Sequence, residues 1–319
     1  MGLPFNRTIK QVRSKGITKT VAYIMAVSLT QIMKRTIKLP KEEKLVQVNM
    51  SEMIVYPRKG AIHADLFRYK KREPLCTDYL MRSGVIQKGD IVLDIGANIG
   101  YYVLTEANIV GETGKVYAVE PVSSNFKLLQ KNVQLNNLTN VSTFQYAIGD
   151  KNVLSEIFVS NSSNLCAVSK DAVGGEVVGV QPVHMVTIDE FVKDKQTPKL
   201  IRMDVEGYEY EILKGMNNTL KGNVKILMEL HAFPKYLTPK KLDEIYNILE
   251  QNNYRAKFVV FENKVIENKL LEILYKKSGD KLPVIAADIS LQELKRIVKE
   301  NEYLAAPNVL FEKEEKRKD

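Results

Sequence analysis

The sequence predicts an open α/β sheet with helices on both faces, and three observations carry that prediction. The run Asp90-Ile91-Val92-Leu93-Asp94-Ile95-Gly96-Ala97-Asn98-Ile99-Gly100-Tyr101-Tyr102 is an apolar strand that meets a carboxylate, turns through small residues and opens a helix. A second apolar strand, Val116-Tyr117-Ala118-Val119, also ends on an acid, Glu120. Beyond it, apolar strands and amphipathic helices alternate, the pattern of parallel strands joined by helical crossovers.

Taken in order, residues 1–41 read as a basic arm, 42–88 as a cap and 89–319 as the main domain. The cap carries two short strands, KLVQVNM and EMIVYP, with turns around Lys59-Gly60, then a helix from Pro74 to Ser83 ended by Gly84. In the main domain, Ser123 to Asn136 is helical, with Phe126, Leu129, Val133 and Leu135 mostly on one side and Ser123 or Ser124 as its cap. Val141 to Ile148 is a third strand, closed by Gly149-Asp150. Residues 153–186 interrupt the alternation and read as an inserted pair of hairpins, placed where a substrate would be covered. Thr187-Ile188-Asp189-Glu190 is a capping box that opens a short helix. Lys199 to Met203 is a buried-type strand, and Tyr208 to Lys214 a helix stopped by Gly215. Lys225 to Leu230 is the fifth strand. Thr238-Pro239 starts a helix with Leu242, Ile245, Tyr246 and Leu249 on one face, and Arg255 to Phe261 is the sixth strand. A second insertion, 262–304, ends in a helix capped by Ser290 with Glu293, and Asn308 to Phe311 is the last strand.

The net charge of +9 has one address. Residues 1–41 hold nine Lys or Arg and no acid; taking those nine from the 47 leaves 38 basic residues against 38 acidic ones. A neutral body gives no reason to expect a nucleic-acid-binding face on the domain. Within the arm, Thr20 to Met33 is uncharged but, at 14 residues, shorter than the ~20 a bilayer crossing needs. No small-residue cleavage site follows it, only Lys34-Arg35. Two readings stand: a helix lying on an anionic membrane surface, or one docked on the body with a solvated basic face. The location that follows is cytoplasmic, with the inner face of the cell membrane as the candidate surface. Cys76 and Cys166 form no framework, and the three histidines show no ligand spacing, so no structural metal is expected.

A strand, a glycine turn and a downstream acid are how a Rossmann-like sheet holds a nucleoside. A dinucleotide site wants G-x-G-x-x-G under a pyrophosphate; here the turn is G-A-N-I-G behind Asp94, which repels phosphate. The arrangement suits a cofactor with a cationic centre and an amino-acid tail, S-adenosylmethionine. Gly96 and Gly100 let backbone pass close to the methionine moiety. Asp94 is a partner for the cofactor's ammonium or a cap of the next helix, and Asn98 a tail contact or a turn former. Glu120 holds the ribose hydroxyls. Ala147 and Asp150 follow the third strand, where an adenine edge is read, or only form the turn.

The string Leu200-Ile201-Arg202-Met203-Asp204-Val205-Glu206-Gly207-Tyr208-Glu209-Tyr210-Glu211-Ile212-Leu213-Lys214-Gly215 resembles the signature of FkbM-type S-adenosylmethionine-dependent methyltransferases, with its D-V-E-G-x-E-x-x-x-L-K-G skeleton in full. Asp94 to Gly100 is similar to that family's first motif, and Arg72-Glu73-Pro74 to its upstream E-P element, which adds Glu73 to the cofactor-site candidates. Thr187 to Phe191 and Glu229-Leu230-His231 match two further elements; Arg202 stands where a Lys is usual. The resemblance covers roughly residues 73–235. It implies a class I methyltransferase fold, a seven-stranded sheet with its last strand antiparallel, and O-methylation of hydroxyls, often on sugars or natural products.

Asp204 and Glu206 flank the carboxyl end of the fourth strand, the edge at which open α/β sheets react. Methyl transfer to a hydroxyl needs alignment and a group to take the proton, for which Asp204, Glu206, Glu229 and His231 are the candidates. Glu206 is otherwise a cap, and Glu209 and Glu211 are expected on the exposed side of the helix. The leading expectation is an enzyme acting on a hydroxyl of a glycan, glycolipid or small metabolite. Its rivals are a nucleic-acid (RNA) methyltransferase tethered by the arm, and a non-catalytic membrane-associated module. The fourth strand lacks the Asn/Asp-Pro-Pro-aromatic turn of many base methyltransferases, and the acids at all cofactor positions are intact.

Overall fold

A computed structural model describes residues 38–161, 166, 168, 173, 176–233, 236–261, 285–300 and 306–314. The arm 1–41 thus lies almost wholly outside the described residues, as do all of 262–284 and most of the stretch 162–175. Among the described residues, no helix is long and apolar enough to cross a membrane.

The main sheet grows from strands that are apolar at most positions because helices cover both faces. Strands β3 (Ile91–Ile95), β4 (Lys115–Val119), β5 (Val141–Phe144), β9 (Leu200–Met203) and β10 (Lys225–Glu229) run parallel, with β13 (Pro307–Lys313) antiparallel between β10 and β11 (Tyr254–Phe261). Alternate residues of each central strand feed two cores, Leu93, Ile201 and Met203 on one side and Val92, Leu200 and Leu227 on the other. The last strand is antiparallel, as expected. Among the described residues the sheet has eight strands instead of seven: β12 (Ile285–Ile289), inside the expected insertion 262–304, pairs antiparallel with the outer edge of β11. Helix α8 (Leu291–Glu300) follows it, and Ser290 Oγ accepts from Glu293 N at 3.2 Å, the predicted cap.

The described residues of 153–186 form one hairpin, and most of 162–175 lies outside them. β7 (Val153–Ser160) and β8 (Val177–Val186) pair antiparallel, and the two-residue β6 (Ala147–Ile148) joins β8 to make a small second sheet. The expected third strand is therefore split: β5 stays in the main sheet, and the chain then turns so that β6 enters the other.

In the cap, β1 (Lys44–Val48) and β2 (Ser51–Val55) form a ribbon. The sequence reading missed helix α1 (Ala61–Tyr69), which buries Ile62, His63, Ala64 and Leu66. Helix α2 (Pro74–Arg82) follows, and its Tyr79 stacks on Phe258 of β11 at 3.7 Å between ring centroids. Helix α3 (Tyr101–Val110) is buried on nearly every side, as a helix this apolar must be. Helix α4 (Ser123–Leu135) is not capped by a serine: Val122 is its N-cap, and Ser123 Oγ accepts from Gln145 Nε2 instead. Helices α5 (Ile188–Val192) and α7 (Pro239–Gln251) start as read, with Thr187 accepting from Glu190 N and Thr238 from Lys241 N. Between them lies α6 (Glu209–Lys214).

Candidate active site

Strand register builds the site. Ile95 pairs with Val119 on one side and Met203 on the other, and Met203 pairs with Met228. The next residues along each strand, Gly96, Glu120, Asp204 and Glu229, therefore stand in one row at the carboxyl edge of the sheet, where ligands meet open α/β folds. The turn after β3 fits closely beneath that row. A Cβ on Gly96, whose φ is +80°, would lie 2.0 Å from the Asp204 carbonyl oxygen, so only glycine allows the approach.

The row opens into a cleft of about 920 Å³, its mouth included. Of the predicted residues, Gly96, Asn98, Glu120, Ala147, Asp204 and Glu206 line it. Glu120 binds the turn on both sides: its carboxylate accepts from Asn98 N at 2.8 Å and from Val122 N at 2.9 Å. Burial pushes its pKa up to about 7 in spite of these bonds. Asn98, at φ +49°, also accepts from Ile99 N at 2.9 Å through its side chain. Beyond Glu120 the wall is apolar, from Val122, Ala147, Ile148 and Ile157.

Six predicted residues lie off the cleft wall. Asp94 is fully buried and turned to Arg202, whose Nη1 donates to it at 2.9 Å. Gly100 is the N-cap of α3, packed against Leu129. Glu73 accepts from the Tyr102 hydroxyl at 2.7 Å and pairs with Arg72 Nε at 2.8 Å. Asp150 pairs with Lys214 at 3.0 Å on the far side of the turn. Glu229, level with Asp204 in the row, and His231 are not among the residues that line the cleft.

Under the cleft floor, one guanidinium pairs with two acids. Arg202, at the middle of β9, bonds Asp94 and reaches Asp204 at 3.3 Å, while its plane lies 3.7 Å over the Tyr102 ring. Burial pushes the Asp94 carboxyl up, and that of Glu106 on α3 well up, in both cases against the pull of Arg202. Burial acts on Asp204 in the same direction, but Arg202, His231 and Arg72 together outweigh it and hold Asp204 below the usual carboxylate range.

The turn Asp204-Val205-Glu206-Gly207 carries Glu206 in a left-handed conformation, φ +50°, which costs a non-glycine residue about 1–3 kcal/mol and persists only where the surroundings enforce it. Gly207 makes the enforcement possible, since any side chain there would collide with Tyr236. Glu206 faces the cleft, and burial lifts its pKa to about 7 against the pull of His231. The His231 Nε2 lies 3.6 Å from Glu206 Oε2, and its Nδ1 donates to Glu209 Oε1 at 2.6 Å. Burial alone would discharge this imidazole; Glu209, with Glu229 and Glu206, overrides it and raises the pKa well above the ordinary value.

Glu209 is a correction to the sequence reading, which set it on an exposed face; it is fully buried. Glu211 is mostly buried as well, paired with Lys241 at 2.5 Å. Arg72 and Tyr102 on the cleft wall were also missed. The one legible signal was Arg202, a cation inside an otherwise apolar four-residue strand.

Asp204, Glu206 and His231, and separately Glu73, Asp204 and Glu229, bring ligand atoms within 4.8 Å of one another. Positive charge is already supplied there by Arg72 and Arg202, and His231 Nδ1 is engaged by Glu209. None of these residues is assigned as a metal ligand.

The sequence profile described as the methyltransferase FkbM domain matches residues 94–256, half of the chain. The hexuronic acid methyltransferase AglP of Haloferax volcanii is 30% identical over 148 residues, which are 46% of this chain and 58% of that protein. The chain thus spans little more than half the length of this relative. Similar solved structures include a SAM-dependent methyltransferase from Aquifex aeolicus (18% identity, 62% of this chain, 90% of that one, TM-score 0.36). A SAM-dependent O-methyltransferase from Thermotoga maritima is another (14% identity, 91% and 83%, TM-score 0.39).

Proposed function

This chain belongs to the FkbM methyltransferase family and uses S-adenosylmethionine, and from that premise we propose that it methylates a hydroxyl group of a glycan, with Glu206 taking the hydroxyl proton. The observation that carries the proposal is the placement of Glu206: of the four acid–base candidates, only it and Asp204 line the cleft, and only Glu206 has a pKa near neutrality. A general base works best when its pKa lies near the working pH. Asp204, held low and engaged by Arg202, is a weak base and better suited to orienting. The relative's action on a hexuronic acid supports a sugar acceptor.

The cleft has the residues to hold the cofactor. Glu120 offers its remaining lone pairs to the ribose hydroxyls, Gly96 and Asn98 present backbone to the amino-acid tail, and the apolar wall at Val122, Ala147, Ile148 and Ile157 suits an adenine ring. When bound, S-adenosylmethionine supplies an electrophilic methyl group on a cationic sulfur. Substitution Glu120→Ala is expected to weaken S-adenosylhomocysteine binding by roughly 1–3 kcal/mol in calorimetry. Unchanged affinity would remove Glu120 from the ribose site.

For residues 1–41 we propose attachment to an anionic membrane surface, supported by nine cations and no acid in that stretch. Full-length protein should co-sediment with phosphatidylglycerol vesicles and release as salt rises. Equal sedimentation of a chain starting at Leu45 would refute this.

A further inference from the structure

We propose that Glu209 is a positioning residue of the active site: from a buried seat at the start of α6 it fixes His231 as a donor aimed at Glu206. This rests on the assignment of Glu206 as the base.

The geometry is a line that runs inward from the cleft. Glu206 lines the cavity, His231 stands behind it with Nε2 at 3.6 Å, and Glu209 stands behind His231 with Oε1 at 2.6 Å from Nδ1. The two acids come from one turn, on either side of Gly207. Glu206 is outside the helix, where its left-handed backbone turns it to the cleft; Glu209 is the first residue of α6 and points back into the protein. The same Glu209 Oε1 accepts from Gly207 N at 3.2 Å, so one oxygen ties the imidazole to the turn that carries Glu206. On the other flank the Tyr236 ring lies 5.4 Å from the His231 ring. His231 follows β10 by two residues, which lifts it above the row of strand ends to the level of Glu206.

A carboxylate removed from water at this depth is costly, and the cost is recovered only by a charged partner in good geometry. A neutral amide would serve packing and bonding alone. A carboxyl group seated 2.6 Å from His231 Nδ1 holds that ring as a donor and favours its charged form, and a charged imidazole beside Glu206 does two things. It keeps Glu206 partly ionised despite burial, and it fixes which oxygen is engaged, leaving the other for an acceptor hydroxyl.

The groups that face this pair come from four elements. They are Glu209 on α6, Glu229 at the end of β10, Asp204 and Glu206 after β9, and Arg72 before α2, with the Tyr236 phenol near Glu206 and Glu229. Three are acids besides Glu206, and Arg72 opposes them.

The test is a nitrogen-15 NMR titration of the imidazoles, made tractable by the chain having only His63, His184 and His231. His63 Nδ1 accepts from Tyr56 N, which marks it as a neutral ring. In the wild type, His231 should stay doubly protonated through neutral pH. In Glu209→Gln, which keeps shape and an acceptor for Nδ1–H but loses the charge, its midpoint should fall by about 1–3 pH units. Glu209→Asp should restore much of it. S-adenosylhomocysteine affinity, read on the same samples, should hold within about twofold.

A His231 that is neutral at pH 7 in the wild type overturns the proposal without recourse to any variant. So does a midpoint that does not move in a folded Glu209→Gln protein. If the wild type fails to bind S-adenosylhomocysteine, the functional reading falls instead, whatever the imidazole does.

Discussion

Substitution Glu206→Gln is expected to lower methyl-transfer turnover about 10²–10⁴-fold while leaving cofactor affinity nearly intact. Glutamine keeps the side-chain length and can face His231 as the carboxylate does, but it cannot take a proton. The wild-type pH profile should carry the same signature. A base with its pKa at about 7 is protonated, hence idle, below that value, so turnover should rise with pH through about 7 and then level off. Substitution Asp204→Asn separates the two acids of the turn. Asp204 is already ionised well below neutrality, so its loss should weaken acceptor alignment without moving the midpoint of the profile. Wild-type turnover in Glu206→Gln, or a rising limb that persists there, would move the role of base off Glu206, with Glu229 and His231 next in line, because Asp204 is held too low to titrate near neutrality. A drop in cofactor binding of the same size would instead make Glu206 a structural residue of the turn.

The parts of this site that were legible in the sequence are those fixed by strand ends. A buried parallel strand is an unbroken apolar run, so its last residue can be located to within one position, and the acid that follows is at the sheet edge by construction. That is why Glu120, Asp204 and Glu206 line the cleft. Asp94 looks the same in the sequence but lies two residues short of the edge row, paired in register with Arg202, and so turns into the floor. Glu209 was illegible for a different reason. Helix α6 has six residues, too few for periodicity to say which face is buried, and the partner that allows its burial, His231, is 22 residues away. The strand β12 and the helix α1 went unread because nothing in a short, weakly patterned segment distinguishes sheet extension or helix from loop; tertiary contacts decide.

The other large effect is expected from the floor. Substitution Arg202→Met should destabilise the fold by about 3–5 kcal/mol, because it strands buried carboxylates without their counter-charge. Methionine fills much of the volume and can lie on the Tyr102 ring, so packing changes little and charge is what is lost. Arg202→Lys, which places the usual residue of the family at this position, keeps the charge but loses the fork that engages Asp94 and Asp204 together, and should cost less. The pH dependence identifies the cause. In the wild type, Asp204 is held low, so its contribution to stability is present above the unfolded carboxylate pKa and disappears as pH falls through the lower native value. Without Arg202 burial dominates, the native pKa of Asp204 rises above the unfolded one, and protonation on acidification relieves the variant. The gap between wild type and Arg202→Met, measured by urea unfolding, should therefore narrow from pH 7.5 to pH 5. A gap of equal size at both values would assign the loss to the missing stack on Tyr102, and Arg202 would be a packing residue whose charge the acids do not need.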